Sequence, residues 1–238
     1  MTPKEATKKL LEKAWSASPE EVQALLDSGA DPNARESRYK ETALTCAAQE
    51  TENPEVIKLL LDAGANVNTK NGEGMTALML AAWNNRGLEV IRLLLDAGAN
   101  VNVKDEYGWT ALIYAATDEN PEVTKALLDS GADPNSASKD GITPLIWAVR
   151  HNNNPEVTKA LLAAGADLNA KDEDGNTALV YALRKNKTPE VIKALLAACY
   201  WRPDCAKNGS PALLYAAYWD KPHVVVRMLL NNRKRRFQ

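Results

Sequence analysis

The chain has 238 residues, with 29 Lys and Arg against 31 Asp and Glu and a formal net charge of −2. That balance supplies no bulk attraction to nucleic acid or an anionic membrane, and three cysteines are too few for a disulfide framework. No run is long and apolar enough to cross a bilayer. A single compact core would be near its upper size limit at this length, whereas an array of stacked units has no such limit.

Residues 1–27 read as an N-terminal cap. A first helix over 3–15 carries Lys4, Glu5, Lys8, Lys9, Glu12 and Lys13 on one side, and a second runs over 19–27. An end unit needs such a solvated outer face. Residues 1–15 alternate lysines with other residues and lack an apolar h-region, so no secretory leader is expected. A cytoplasmic location is the expectation, with secretion the alternative if a leader has been trimmed.

A period then takes over. Thr42, Thr76, Thr110, Thr143, Thr177 and the degenerate Pro211 follow one another at steps of 34, 34, 33, 34 and 34. Gly29, Gly64, Gly98, Gly131 and Gly165 keep the same beat, and x-P-E-V recurs at Pro54, Pro121, Pro155 and Pro189. A period this regular means stacking, because one unit cannot bury its own apolar face. Residues 104–135 show the local rules. Thr110 caps a first helix with Leu112, Ala115 and Ala116 at helical spacing. Asn120-Pro121 opens a second, and Gly131 ends it in the left-handed conformation. Glu122/Lys125 recurs as Glu55/Lys58, Glu89/Arg92, Glu156/Lys159 and Glu190/Lys193, a weakly favourable i, i+3 pair. The first finger, 33–41, is one residue longer than the others and has Tyr39-Lys40 near the usual Gly position.

After residue 198 the pattern changes: Cys199-Tyr200-Trp201-Arg202-Pro203 stands where 165–169 read G-A-D-L-N. A non-glycine residue costs about 1 kcal/mol in the helix-ending conformation, so a reshaped finger is expected. A last helix pair over 211–219 and 222–230 precedes a basic tail, Arg233, Lys234, Arg235 and Arg236. The division is one domain over 1–238, with an N-terminal cap at 1–30, central repeats at 31–198 and a divergent C-terminal cap and tail at 199–238.

The series G-A-D-x-N-x-x-D-x-x-G-x-T-A-L-x-x-A-A…E-V-x-x-L-L resembles the ankyrin repeat, in about seven helix pairs over essentially the whole chain. The resemblance implies an all-α solenoid of stacked helix-turn-helix units with projecting β-hairpin fingers and a concave face. The family's T-P-L-H is mostly T-A-L-x here; its His position holds Thr45, Met79, Ile113, Ile146, Val180 and Leu214. Apolar packing is expected to replace that His link.

The resemblance also implies which residues face a partner: finger residues and the ends of the first helices, on the concave side. The expected exposed finger residues are Gly72, Glu73 and Met75; Glu106, Tyr107 and Trp109; Lys139, Asp140 and Ile142; and Glu173, Asp174 and Asn176. From these and the helix ends, the partner-binding set is Trp83, Asn84, Tyr107, Trp109, Thr117, Asp118, Lys139, Asp140, Ile142, Arg150, His151, Arg184, Lys185, Tyr218 and Trp219. Trp83, Tyr107 and Trp109 stand out, since aromatics of this kind are enriched at binding hot spots. The competing reading has them packing on the adjacent finger. A second aromatic series, Tyr114, Trp147, Tyr181 and Tyr215, reads as core between repeats with polar tips reaching the surface.

Chemistry is not expected. His151 and His223 are the only histidines, and no nucleophile, phosphate-loop or paired-carboxylate pattern accompanies them. Asp172-Glu173-Asp174-Gly175 lacks a bidentate Glu at the twelfth loop position, where Leu183 stands, and reads as a turn. Cys199 and Cys205, six apart, leave a disulfide or a metal site with His223 as alternatives; they read as unrelated thiols, since the set lacks a recognised metal spacing, and no metal or cofactor is expected. The reading is a monomeric, non-catalytic module that binds a protein partner, not nucleic acid or membrane. One alternative is a scaffold whose basic C-terminus contacts nucleic acid or anionic lipid. Another is a repeat array built for structure or binding without a natural role, against which the irregular first finger and 199–210 both speak.

Overall fold

The computed structural model describes residues 1–50, 53–84, 87–118, 120–184 and 188–200, with side chains up to residue 198. The described residues form twelve helices: α1 (Pro3–Lys13), α2 (Pro19–Asp27), α3 (Ala43–Glu50), α4 (Pro54–Asp62), α5 (Ala77–Trp83), α6 (Gly87–Asp96), α7 (Ala111–Ala115), α8 (Pro121–Asp129), α9 (Pro144–His151), α10 (Pro155–Ala163), α11 (Ala178–Arg184) and α12 (Pro189–Tyr200). Their starts follow the expected chemistry. Thr2 and Ser18 form capping boxes with Glu5 and Glu21. Thr76, Thr110 and Thr143 cap the first helices of their pairs. Asn53, Asn120 and Asn154 cap second helices that open on Pro.

The helices stack in two layers. First helices pile up as α3 on α5, α5 on α7, α7 on α9 and α9 on α11. Second helices run α2, α4, α6, α8, α10, α12, and each pair is tied across the layers. Leu78, Leu112 and Leu145 are fully buried between first helices, and Leu60, Leu94, Leu127 and Leu161 between second helices. Each such side chain stabilises the stack by roughly 1.5–3 kcal/mol. Buried alanines at 47, 48, 81, 82, 115, 116 and 148 let the first helices approach closely. Met79, Ile113, Ile146 and Val180 are buried, so apolar packing does replace the family's His. Thr45 differs: its hydroxyl accepts from Thr42 N–H at 2.8 Å and donates to Thr42 O at 3.0 Å.

Two hydrogen-bonded columns join neighbouring units, and neither was anticipated from the sequence. Asn102 donates from Nδ2 to Gly131 O at 2.9 Å and accepts at Oδ1 from Asp133 N–H at 2.8 Å. Asn33, Asn68 and Asn135 do the same to Gly64, Gly98 and Gly165 and the residue two further on. The second column is cationic. Arg35 donates to Lys70 O, Lys70 Nζ to Lys104 O at 2.9 Å, and Lys104 Nζ to Ala137 O at 2.8 Å. On the outer helices Glu55–Lys58, Glu122–Lys125, Glu156–Lys159 and Glu190–Lys193 form exposed ion pairs, which solvent screens to a minor contribution.

The projecting fingers are tight turns; no residue among those described has strand structure. Each is closed by one backbone bond, as Asp105 N–H to Trp109 O at 3.0 Å. One more bond ties it to the finger before, as Glu106 N–H to Glu73 O and Lys139 N–H to Tyr107 O. With so few residues per arm there is room for one rung, not a ladder. Gly141 shows the crowding: its φ is +74°, and a Cβ there would lie 2.8 Å from Lys171 O. In the first finger the same place is held by Lys40, at φ +54°. At the other end α12 runs through Cys199 to Tyr200, so the helix does not stop where Gly165 stops α10. The remainder of the expected C-terminal cap and tail, 201–238, lies outside the described residues.

Candidate functional site

The fingers and the exposed ends of the first helices meet along one face, and the site grows from how each turn is closed. Asp105 Oδ1 accepts from Tyr107 N–H at 2.8 Å and Trp109 N–H at 2.9 Å. Its Oδ2 accepts from Tyr114 O–H, on α7, at 2.6 Å. The carboxylate thus fixes the finger and links it to the helix beneath. Asp172 repeats the device, accepting from Asn176 N–H at 2.8 Å and Tyr181 O–H at 2.5 Å. Asn71 and Ser138 close the turn alone, and the helix positions opposite them are Leu80 and Trp147.

On this frame the aromatic rings form one strip. Trp83 stacks on Tyr114 with centroids 5.6 Å apart. Trp109 leans on Tyr114 at 5.1 Å and meets Trp147 edge-on at 4.5 Å. Trp147 touches His151 at 3.9 Å, and the Arg150 guanidinium lies 5.6 Å from the Trp147 centroid and 4.8 Å from that of Tyr181. Such contacts fix the rings and leave flat surface outward. Trp83 is 55% exposed and Tyr107 is 64% exposed.

The column of first-helix side chains also reports the local field. Burial pushes the Cys46 thiol up to about 12, with Glu41, Glu36 and Glu50 adding to the rise. The Tyr114 phenol is raised by burial, by its bond to Asp105, and by the charges of Asp105 and Glu73. The Tyr181 phenol is raised by burial and its bond to Asp172, while Arg150 opposes the rise. The face is acidic toward its N-terminal end and carries cations at 150 and 184. Beyond Glu41, half-exposed Trp15 joins Cys46, Gln49 and Glu50 around an open depression of about 430 Å³.

The expected partner-facing residues divide. Trp83, Tyr107, Lys139, Asp140, His151 and Arg184 are exposed; Asn84, Trp109, Thr117 and Arg150 are half-buried. Ile142 and Asp118 were expected on the surface and are buried, 5% and 8% exposed. Ile142 shares its place with Met75, next to the capping Thr, where the turn directs the side chain inward; Met75 and Asn176 are buried for the same reason. Asp118 lies in the linker 117–120, one residue shorter than its counterparts 49–53 and 184–188. It accepts from Asn120 N–H at 2.8 Å, and its carbonyl accepts from buried Asn152 Nδ2 at 2.6 Å. Lys185, Tyr218 and Trp219, like Cys205, His223, Tyr215 and the basic tail, lie outside the described residues.

Trp109 packs between neighbouring units, as the competing reading has it; Trp83 stacks on Tyr114 of the next unit yet stays 55% exposed, and Tyr107 is 64% exposed. Tyr114 and Tyr181 were expected to send polar tips to the surface; both hydroxyls turn to a finger carboxylate instead. That pairing was detectable: Asp105/Tyr114 and Asp172/Tyr181 are each nine residues apart, and the units closed by Glu36, Asn71 and Ser138 carry Cys46, Leu80 and Trp147 in place of the tyrosine.

Among the described residues no His, Cys, Asp and Glu group is arranged to hold a metal ion. No helix of the described residues is long and apolar enough to cross a membrane. No curated protein matches the chain. A family model described as ankyrin repeats (3 copies) matches residues 10–105, 89–172 and 151–236. Together with the stacked pairs and glycine-closed turns, this establishes that the chain belongs to the ankyrin-repeat family.

Proposed function

We propose that the chain is a non-catalytic module that binds a folded protein through its fingers and the exposed ends of its first helices, the concave side in this family. Ankyrin repeats generally serve as protein–protein interaction modules. The observation that carries the finer reading is the exposure of Trp83 and Tyr107 on a face whose backbone is pinned from unit to unit. Rings held on a rigid frame lose little freedom on binding, so more of their contact energy appears as affinity.

The test is affinity purification with mass spectrometry, run side by side on the native chain and on Trp83→Ala/Tyr107→Ala/Trp109→Ala. A partner kept by the native chain and lost by the folded variant supports the surface. Equal recovery with both would move the binding site elsewhere.

A further inference from the structure

The aromatic strip is filled unevenly. Toward its C-terminal end the chain covers its own rings, with Arg150 over Trp147 and Tyr181. In the first finger, Arg38 lies 4.9 Å from the Tyr39 centroid. Between them, among the described residues, no guanidinium or ammonium lies over Trp83, Tyr107, Trp109 or Tyr114. Yet Trp83 and Tyr107 are the open rings of this stretch.

Among the described residues the charge in that gap is negative. Glu73 and Glu106 are exposed and adjacent, joined by Glu106 N–H to Glu73 O. The carboxylates of Asp105 and Glu73 lie close enough to Tyr114 to oppose loss of its proton. The nearest lysines of the same fingers, Lys70 and Lys104, are tied to carbonyls of the following unit. Lys139, on the next finger, marks the far edge of the acidic stretch. Rings offering open faces beside exposed carboxylates attract a cation twice over, by quadrupole and by charge.

We infer that the stretch around Trp83 and Tyr107, flanked by Glu73 and Glu106, takes an arginine- or lysine-bearing segment of the partner, a cationic side chain lying against the ring faces as Arg150 lies against Trp147 and Tyr181. This rests on the surface reading above and names the chemistry of what binds there.

The probes are acetylated, amidated tetra-arginine and tetra-glutamate peptides, titrated into the full chain while the indole N–H signals of Trp83 and Trp109 are followed by NMR. Tetra-arginine should move both signals. Its dissociation constant should rise about tenfold in Trp83→Leu and in Glu73→Gln/Glu106→Gln. Glu173→Gln/Asp174→Gln, acidic residues of a finger beyond Arg150, should leave it unchanged. Two results would overturn the inference: tetra-glutamate moving the Trp83 signal when tetra-arginine does not, or equal weakening in all the charge variants, which marks diffuse attraction. Either leaves the binding surface standing. The surface itself fails only if the purified partner ignores the triple alanine variant.

Discussion

The fingers at 105–109 and 36–41 occupy equivalent places in units two apart and are built differently. In the former, Asp105 takes two turn N–H groups, Gly108 adopts φ +82°, and Trp109 turns toward the strip. In the latter, Glu36 accepts from Arg38 and Tyr39 N–H at 2.7 Å each, Lys40 takes the glycine's conformation, and Glu41 stands where Trp109 would be. Glu41 Oε1 accepts from Asn71 Nδ2 at 2.9 Å, while its Oε2 is buried with no hydrogen-bond partner. Cys46 stands in the place of Tyr114. The turn tolerates several closing side chains, since Asn, Asp, Ser and the longer Glu all manage it. The aromatic strip is densest where Asp105, Gly108, the inward ring of Trp109 and Tyr114 fall in one unit, and neighbouring units add single rings to it, Trp83, Trp147 and Tyr181.

If the glycine position is what separates the two fingers, placing a side chain in a regular one should have the largest effect. Gly141→Ala combines a positive φ with a Cβ 2.8 Å from Lys171 O and 2.9 Å from Asp172 Cα. It should cost about 3 kcal/mol. Urea unfolding would read this as a lower midpoint, and a change below about 0.5 kcal/mol, the scale of an ordinary surface substitution, would mean that the fingers yield more easily than their geometry implies.

The next test addresses the helix link that 36–41 lacks. Tyr114→Phe leaves Asp105 Oδ2 without its 2.6 Å donor in a residue that is largely buried. The expected cost is about 2 kcal/mol, the penalty of an unsatisfied buried acceptor. Leu80, opposite Asn71 in a unit without the link, has no such bond to lose. A cycle pairing Tyr114→Phe with Asp105→Asn should show coupling, and additive losses would dissolve the proposed unit of finger and helix.

These contrasts also locate what was legible in the sequence. Thr110, Asn120-Pro121, Leu112 and the glycines could be read because capping, periodicity and chirality act within a few residues. The stacked layers followed from the period itself. The inward turn of Ile142 and Asn176 could not be read, because the same finger slot holds exposed and buried side chains and only the turn's geometry sorts them. Burial of Asp118 depended on Asn152, 34 residues further on. The clamps by Asn33, Asn68, Asn102 and Asn135 were visible as a repeated letter, but their partners belong to the following unit, which no local rule reaches.

A smaller effect of opposite sign should come from restoring the first finger to the regular form. Lys40→Gly relieves the positive φ of a residue with a Cβ, against the greater freedom glycine has in the unfolded chain. A net stabilisation of about 0.5–1 kcal/mol is expected. Destabilisation would show that Lys40 contributes through its side chain, and that the irregular finger is not merely a strained version of the others.

The smallest effect at neutral pH belongs to Cys46, and alkali should enlarge it. The thiol has an ordinary value of 9.0 and is pushed up to about 12 in the folded chain, by burial first and then by Glu41, Glu36 and Glu50. A folded-state value above the unfolded one means that the native chain holds the proton more tightly. The resulting stability is fully present below about pH 9 and is lost as pH rises toward 12. Tyr114 and Tyr181 are shifted in the same direction and add their own alkaline loss, so the informative quantity is a difference between chains. Cys46→Ala should unfold at nearly the native urea midpoint at pH 7 and fall more gently than the native chain above pH 9. Glu41→Gln, which removes one of the charges that raise the thiol, should lie between the two. A Cys46→Ala curve parallel to the native one would mean that the thiol keeps its ordinary value on folding; a gentler Cys46→Ala curve with Glu41→Gln parallel to the native chain would mean that burial alone raises the thiol, and the acidic field at the N-terminal end of the face would be too weak to be felt at Cys46.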